Sequence, residues 1–250
     1  MNVIDLFVFD EGHMFDDGGR GATYELLVTH IRRNITSEQQ LILLSAVLPN
    51  SEDIAQWLFE DRGCLAADES IVSTPKSIGF SSKQKNLHFF SDDKSNEDYF
   101  IPRILRVEQL NKLPREKKNR FFPELSSSTD IAIYNAIKLC HNGGVAIYLG
   151  QQRSMKTVFK RIIDLNKRNY DLKVLKDNAN QEKLSEIKKF IENYYGSEHW
   201  YTQAAELGVL PHSSNLQNGV KLVVEHALKN KYVSCVVCTS ATCTRREYSN

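Results

Sequence analysis

Residues 3–9 are apolar apart from Asp5 and rich in β-branched and aromatic side chains, the pattern of a strand buried in a parallel sheet. The run leads directly into Asp10, Glu11, Gly12 and His13. Tyr24, Leu27, Val28 and Ile31 recur at spacings of three and four, which predicts a helix over residues 22–33. Residues 41–44 are wholly apolar and read as a second central strand. Strand, helix and strand together make a βαβ unit with the usual right-handed crossover. Asn50 or Ser51 can cap a further helix that turns Ile54, Ala55 and Leu58 inward, and Trp57 is expected to pack. Gly18 and Gly19 read as a turn, with Arg20 and Glu25 either paired or capping the helix that follows.

The pattern weakens between residues 70 and 128, where residues 91–98 are polar and residues 115–120 mostly charged. A last strand of the first unit and then an irregular connection over residues 76–128 are expected, with the basic cluster solvated. Periodicity returns in residues 129–139, which suit a helix ended by Asn142, Gly143 and Gly144. Residues 145–149 predict a buried strand, 155–165 a helix, 172–175 a short strand, 181–194 a charged amphipathic helix, 218–229 a helix and 232–239 a strand. Lys156, Lys160 and Arg161 read as a solvated basic stripe, and His212 as a loop histidine. The expected architecture is therefore α/β, with one parallel-sheet unit over residues 1–75 and another over residues 129–250.

Composition adds little to this and excludes much. The chain has 250 residues, 41% of them hydrophobic and 25% charged, enough apolar material for a sizeable core. A net charge of +1 does not announce a nucleic-acid binder, although a local basic groove is compatible with it. No stretch approaches the roughly 18 apolar residues of a membrane span, and no signal peptide is visible. Five unevenly spaced cysteines do not suggest a secreted disulfide framework, so a cytoplasmic location is expected. Cys235 and Cys238 have zinc-like spacing but lie in a predicted strand without a second pair, which favours two core thiols.

The chemistry concentrates at the first strand end. Ligands of open α/β sheets bind at the carboxyl edge of the strands, which is where Asp10 and Glu11 fall. One carboxylate there can hold Mg²⁺ through water, and the other can orient and deprotonate an attacking water. His13 can sense the site or ligate a metal. A polar turn that merely caps a strand, and a metal-dependent hydrolase built on Asp10, His13, Asp16 and Asp17, are the alternatives.

Asp10-Glu11-Gly12-His13 after a hydrophobic strand resembles motif II of the DExH branch of superfamily-two helicases, the DEAD/DEAH-box relatives. Leu44-Ser45-Ala46-Val47-Leu48-Pro49-Asn50 resembles motif III, with Val47 where the family usually has threonine. Residues 145–153 resemble motif IV, Leu210-Pro211-His212-Ser213-Ser214-Asn215 resembles a later family loop, and Val236-Val237-Cys238-Thr239-Ser240 resembles the start of motif V. The ordered set is more specific than any one motif. The resemblance implies two RecA-like units, both incomplete, and an ATP-dependent nucleic-acid helicase. Asp10 would then coordinate the Mg²⁺ of ATP through water, Glu11 would be the general base, and His13 would link them to Ser45 and Ala46. Gln151, Arg153, Thr239 and Ser240 would lie toward the nucleic-acid backbone, which positions a strand without reading its sequence.

No Gly-x-x-x-x-Gly-Lys-Ser/Thr phosphate loop occurs in the sequence, nor the arginine-rich motif VI. A fragment running from motif II to the start of motif V is therefore expected, inactive toward ATP alone, with a partner chain as one source of the missing motifs. The tail over residues 241–250 departs from the family; one choice of codons, read one base later, spells a motif V continuation, so a shifted reading frame is expected there. A residual nucleic-acid-binding or interaction module without ATPase activity is the other functional expectation.

Overall fold

The computed structural model describes residues 4–16, 18–45, 50–60, 77–81, 86–90 and 100–239. The chain divides into two units, Met1–Pro75 and Lys76–Asn250.

In the first unit, β1 (Leu6–Phe9) pairs in parallel with β2 (Gln40–Leu43), Phe7 opposite Leu41. A 3-10 turn (Gly12–Asp16) and α1 (Gly18–Asn34) form the crossover, and α2 (Ser51–Phe59) follows the second strand. Phe9, Val28 and Leu58 are buried together, with Phe7, Phe15, Tyr24, Leu41, Leu43 and Trp57 packed around them. Alternation along the strands puts these side chains on one face. The other face carries Leu6, Val8, Ile42 and Leu44, all exposed, so among the described residues β1 and β2 are covered on one face, where central strands buried on both were expected. The crossover helix begins at Gly18, so Gly18 and Gly19 open it instead of forming a turn before it. Asn50 occupies the cap position of α2 without a side-chain capping bond, while Glu52 and Asp53 lie in the first turn, where the helix dipole favours acids.

The second unit opens with an antiparallel sheet of β3 (Ile78–Ser81), β4 (Leu87–Phe90) and β5 (Phe100–Ile101), followed by a hairpin of β6 (Glu108–Leu110) and β7 (Arg120–Phe122). This corrects the irregular connection expected over residues 76–128: each strand has four residues or fewer, too short to show a clear alternation in the sequence. Then come α3 (Ser128–Leu139), β8 (Val145–Leu149), α4 (Ser154–Lys167), α5 (Lys173–Asp177), α6 (Gln181–Tyr195), α7 (Trp200–Ala205), β9 (Val209–His212), α8 (Asn218–Lys229) and β10 (Cys235–Thr239). The last three strands form a parallel sheet in the order β8-β10-β9, with β10 at its centre. Parallel sheets and flanking helices are the architecture of a RecA-like helicase fragment.

Several expectations change here. Residues 172–175 enter α5 instead of a strand; Leu172 and Leu175 are both buried, one helical turn apart. His212 ends β9 and is buried, not a loop residue. Arg161 is no member of a solvated stripe. Its guanidinium makes two bonds to Asp130, at 2.9 and 2.7 Å, and a third to Asp164 at 2.8 Å. Arg168, buried, donates to Asp164, Glu116 and the Asn111 carbonyl, which fastens the β6–β7 hairpin to α4. Among the described residues no helix is long and apolar enough to cross a membrane.

Candidate functional site

Asp10 follows the last residue of β1, and its Oδ1 accepts the Glu11 N–H at 2.9 Å. Glu11 has φ 63°, the left-handed region that a non-glycine residue enters at a cost. Gly12 N–H donates to the Leu44 carbonyl at 2.7 Å, and Leu44 N–H donates to the Phe9 carbonyl at 2.8 Å. The acid turn is thus stitched onto the end of β2. A Cβ on Gly12 would stand 3.1 Å from Ser45 Cβ and 3.3 Å from the Leu44 oxygen, so any larger residue would press on Ser45 and Leu44. Met14 N–H closes the turn on the Glu11 carbonyl at 2.8 Å.

The structure brings Asp10, Glu11, His13 and Ser45 to one end of the two-stranded sheet. His13 Nδ1 lies 3.3 Å from Glu11 Oε2. That nitrogen is shielded from solvent and makes no well-formed hydrogen bond, so the pair interacts through charge when the ring is protonated. Tyr24, from α1, donates its hydroxyl to the Asp10 carbonyl at 3.0 Å. Burial, then the charges of Asp10 and Glu11, push the Tyr24 phenol up from its ordinary value. The sequence pattern marks Tyr24 only as part of an apolar stripe; its hydroxyl 14 residues from Asp10 leaves no signal of its own in the sequence.

The donor chemistry fits Mg²⁺. Asp10 and Glu11 offer hard carboxylate oxygens, and no three His, Cys, Asp or Glu side chains converge as a metal cage among the described residues. A magnesium ion keeps most of its waters and takes one or two carboxylates plus substrate phosphates, and of these the edge offers the carboxylates of Asp10 and Glu11. ATP fits only in part, because the sequence contains no phosphate loop. Ala46 lies outside the described residues, as do Asp17 and the side chain of Asp16, on which the metal-hydrolase alternative depends.

In the second unit, the turn after β8 exposes Gln151 and Arg153, whose side chains meet at 2.7 Å through Arg153 Nε and Gln151 Oε1. Gln152 Nε2 donates to Ser213 Oγ at 3.0 Å, tying this turn to the end of β9. His212 Nε2 and Glu225 Oε1 stand 3.2 Å apart and join β9 to α8. Thr239 closes β10 opposite Leu149 and is only 7% exposed, so its side chain presents little surface; Ser240 lies outside the described residues. Gln152 and Ser213 both fall within the motif stretches, but their bond to one another is not visible in the sequence. Cys235 and Cys238 are buried in β10, as core thiols are.

Residues 1–54 match the DEAD/DEAH box helicase family. Over 247 residues the chain is 27% identical to the Hachiman protein HamB of Bacillus cereus, covering 95% of this chain and 21% of that protein. It is 24% identical over 243 residues to the ATP-dependent DNA helicase Hel308 of Thermoplasma volcanium, covering 96% of this chain and 28% of the relative. A probable ATP-dependent DNA helicase, HFM1 of Xenopus tropicalis, is 31% identical over 124 residues, which is 43% of this chain and 9% of HFM1. The chain thus spans less than a third of the length of each of these relatives.

Proposed function

We propose, because this chain belongs to helicase superfamily two, that it carries the acid turn and part of the strand-binding surface of an ATP-driven nucleic-acid motor. The observation that carries the reading is the contact of the Asp10-Glu11 turn with Ser45 at one sheet end, held by the 2.7 Å bond from Gly12 to Leu44. Asp10 would be the residue that holds Mg²⁺. Bound there, the ion supplies charge neutralisation for the phosphates. Glu11 orients the attacking water and takes its proton, and His13, 3.3 Å away, feels the change of charge on Glu11. Ser45, packed on Gly12, passes movement of this turn toward α2.

In the second unit the exposed Gln151 and Arg153 lie along a nucleic-acid backbone, with the largely buried Thr239 contributing little surface and Ser240 following it in sequence. Such contacts position a strand without reading bases. The names of Hel308 and HFM1 favour DNA as the polymer.

With no phosphate loop among the 250 residues, the chain by itself binds a strand and does not turn over ATP; a partner chain or a further segment holds the phosphates. Electron paramagnetic resonance of Mn²⁺, together with a phosphate-release assay, tests the acid turn. Mn²⁺ binding that disappears in Asp10→Asn, with ATP turnover at background in both wild type and Glu11→Gln, is the expected result. Mn²⁺ binding indifferent to Asp10→Asn, or ATP turnover above background in Glu11→Gln, contradicts the assignment.

A further inference from the structure

We propose that Tyr24 is the positioning residue of the acid turn, its hydroxyl fixing the Asp10 carbonyl so that Glu11 is held in its left-handed conformation. The inference rests on the reading of Asp10 and Glu11 as metal-holding and base residues, and adds a residue outside the motifs to it.

A non-glycine residue at φ 63° persists only where its surroundings over-determine it. Two restraints come from backbone, the bond from Gly12 N–H to Leu44 O at 2.7 Å and that from Met14 N–H to Glu11 O at 2.8 Å. Both act after the Glu11 α-carbon. Tyr24 acts before it, on the Asp10 carbonyl at 3.0 Å, so the peptide between Asp10 and Glu11 is gripped from its own oxygen.

The grip is rigid because the ring is. Phe9 meets it edge-on at 6.0 Å and Phe15 at 5.1 Å, the T-shaped geometry that aromatic quadrupoles favour. Phe15 in turn stands edge-on to Trp57 of α2 at 5.9 Å. Arg32 braces the far side, its guanidinium 5.9 Å from the Trp57 ring centre and its Nε bonded to the Leu58 carbonyl at 3.2 Å. One helical turn before Tyr24, Gly21 lets α1 lie against the turn. A Cβ there would fall 2.5 Å from the Phe15 carbonyl oxygen and 2.9 Å from that of Met14. The tyrosine is therefore aimed by packing on three elements of the same unit.

Tyr24→Phe removes one oxygen and keeps the ring. Amide hydrogen exchange at Gly12 and Met14 is expected to quicken about tenfold, the size of one hydrogen bond, while the buried Val28 amide keeps its wild-type rate. Mn²⁺ affinity is expected to fall by a similar factor at an unchanged thermal midpoint, which a merely structural role would not produce. Wild-type exchange at Gly12 and Met14 in this variant overturns the proposal. If wild-type protein binds no Mn²⁺, the metal reading of Asp10 fails, and the exchange rates still decide the role of Tyr24. Should Tyr24→Phe not fold, Phe15→Leu, which loosens the ring and spares the hydroxyl, is expected to raise Gly12 exchange by a smaller factor; no rise counts against the proposal.

Discussion

On β1, Leu6 and Val8 are 46% and 53% exposed, whereas every residue of β9 and β10 in the second sheet is buried. The two units use the same βαβ logic, yet among the described residues the first gathers three buried hydrophobic side chains into its core and the second gathers 32. Local stability follows apolar burial, so the described part of the second unit is expected to open less readily than that of the first, which carries the acid turn. The turn is steadied locally, by Gly12, Tyr24 and Phe15, rather than by a large core.

The comparison is open to attack at four points. The largest effect is expected from Phe159→Ala. This ring is fully buried and packs on Trp200 and Tyr201, so its loss is expected to cost the second unit about 3–5 kcal/mol. Urea unfolding followed at Trp200 reports it, while Trp57 fluorescence keeps its own, lower midpoint. A single shared transition for both tryptophans would break the contrast between the units. Gly21→Ala pushes a methyl group into the Met14 and Phe15 carbonyls and is expected to cost the first unit about 1–3 kcal/mol, read at Trp57 with Trp200 unchanged.

Ser127→Ala removes the cap of α3, where the hydroxyl accepts from Asp130 N–H at 3.2 Å, and about 1 kcal/mol of second-unit stability should go with it. The smallest effect is a pH dependence. Hydrogen bonds from Arg168 hold Glu116 down to about 2, against an ordinary value of 4.5. The unfolded carboxylate binds its proton first, so this contribution is complete above pH 4.5 and is lost as pH falls toward 2. In Glu116→Gln the second-unit urea midpoint should start lower and fall less across that window; an identical pH profile would remove the role given to the Arg168 pair.

The elements with long, regular patterns were legible in the sequence. Residues 145–149 and 218–229 emerge where apolar periodicity puts them. The failures have physical causes. Val209–His212 contains Pro211, which argues against a strand, but among the described residues β9 is an edge of its sheet and proline's missing N–H costs an edge strand little. Leu172 and Leu175 satisfy one helical turn as well as a short strand, and four residues cannot separate the two periods. The acid turn was legible because strand, carboxylates and the Ser45 run follow one another in order. Tyr24 was not, because a hydroxyl acting 14 residues away is a fact of packing alone.

Binding of single-stranded oligonucleotides as a function of salt tests the central claim most directly, since it asks whether the chain holds a strand by its backbone. The account predicts binding at low salt that is indifferent to base sequence. Arg153→Ala should weaken it equally on all sequences and reduce the slope of log K against log salt by about 0.7, one phosphate contact on a single strand. No binding to any strand at low salt, or a slope untouched by Arg153→Ala, would contradict it.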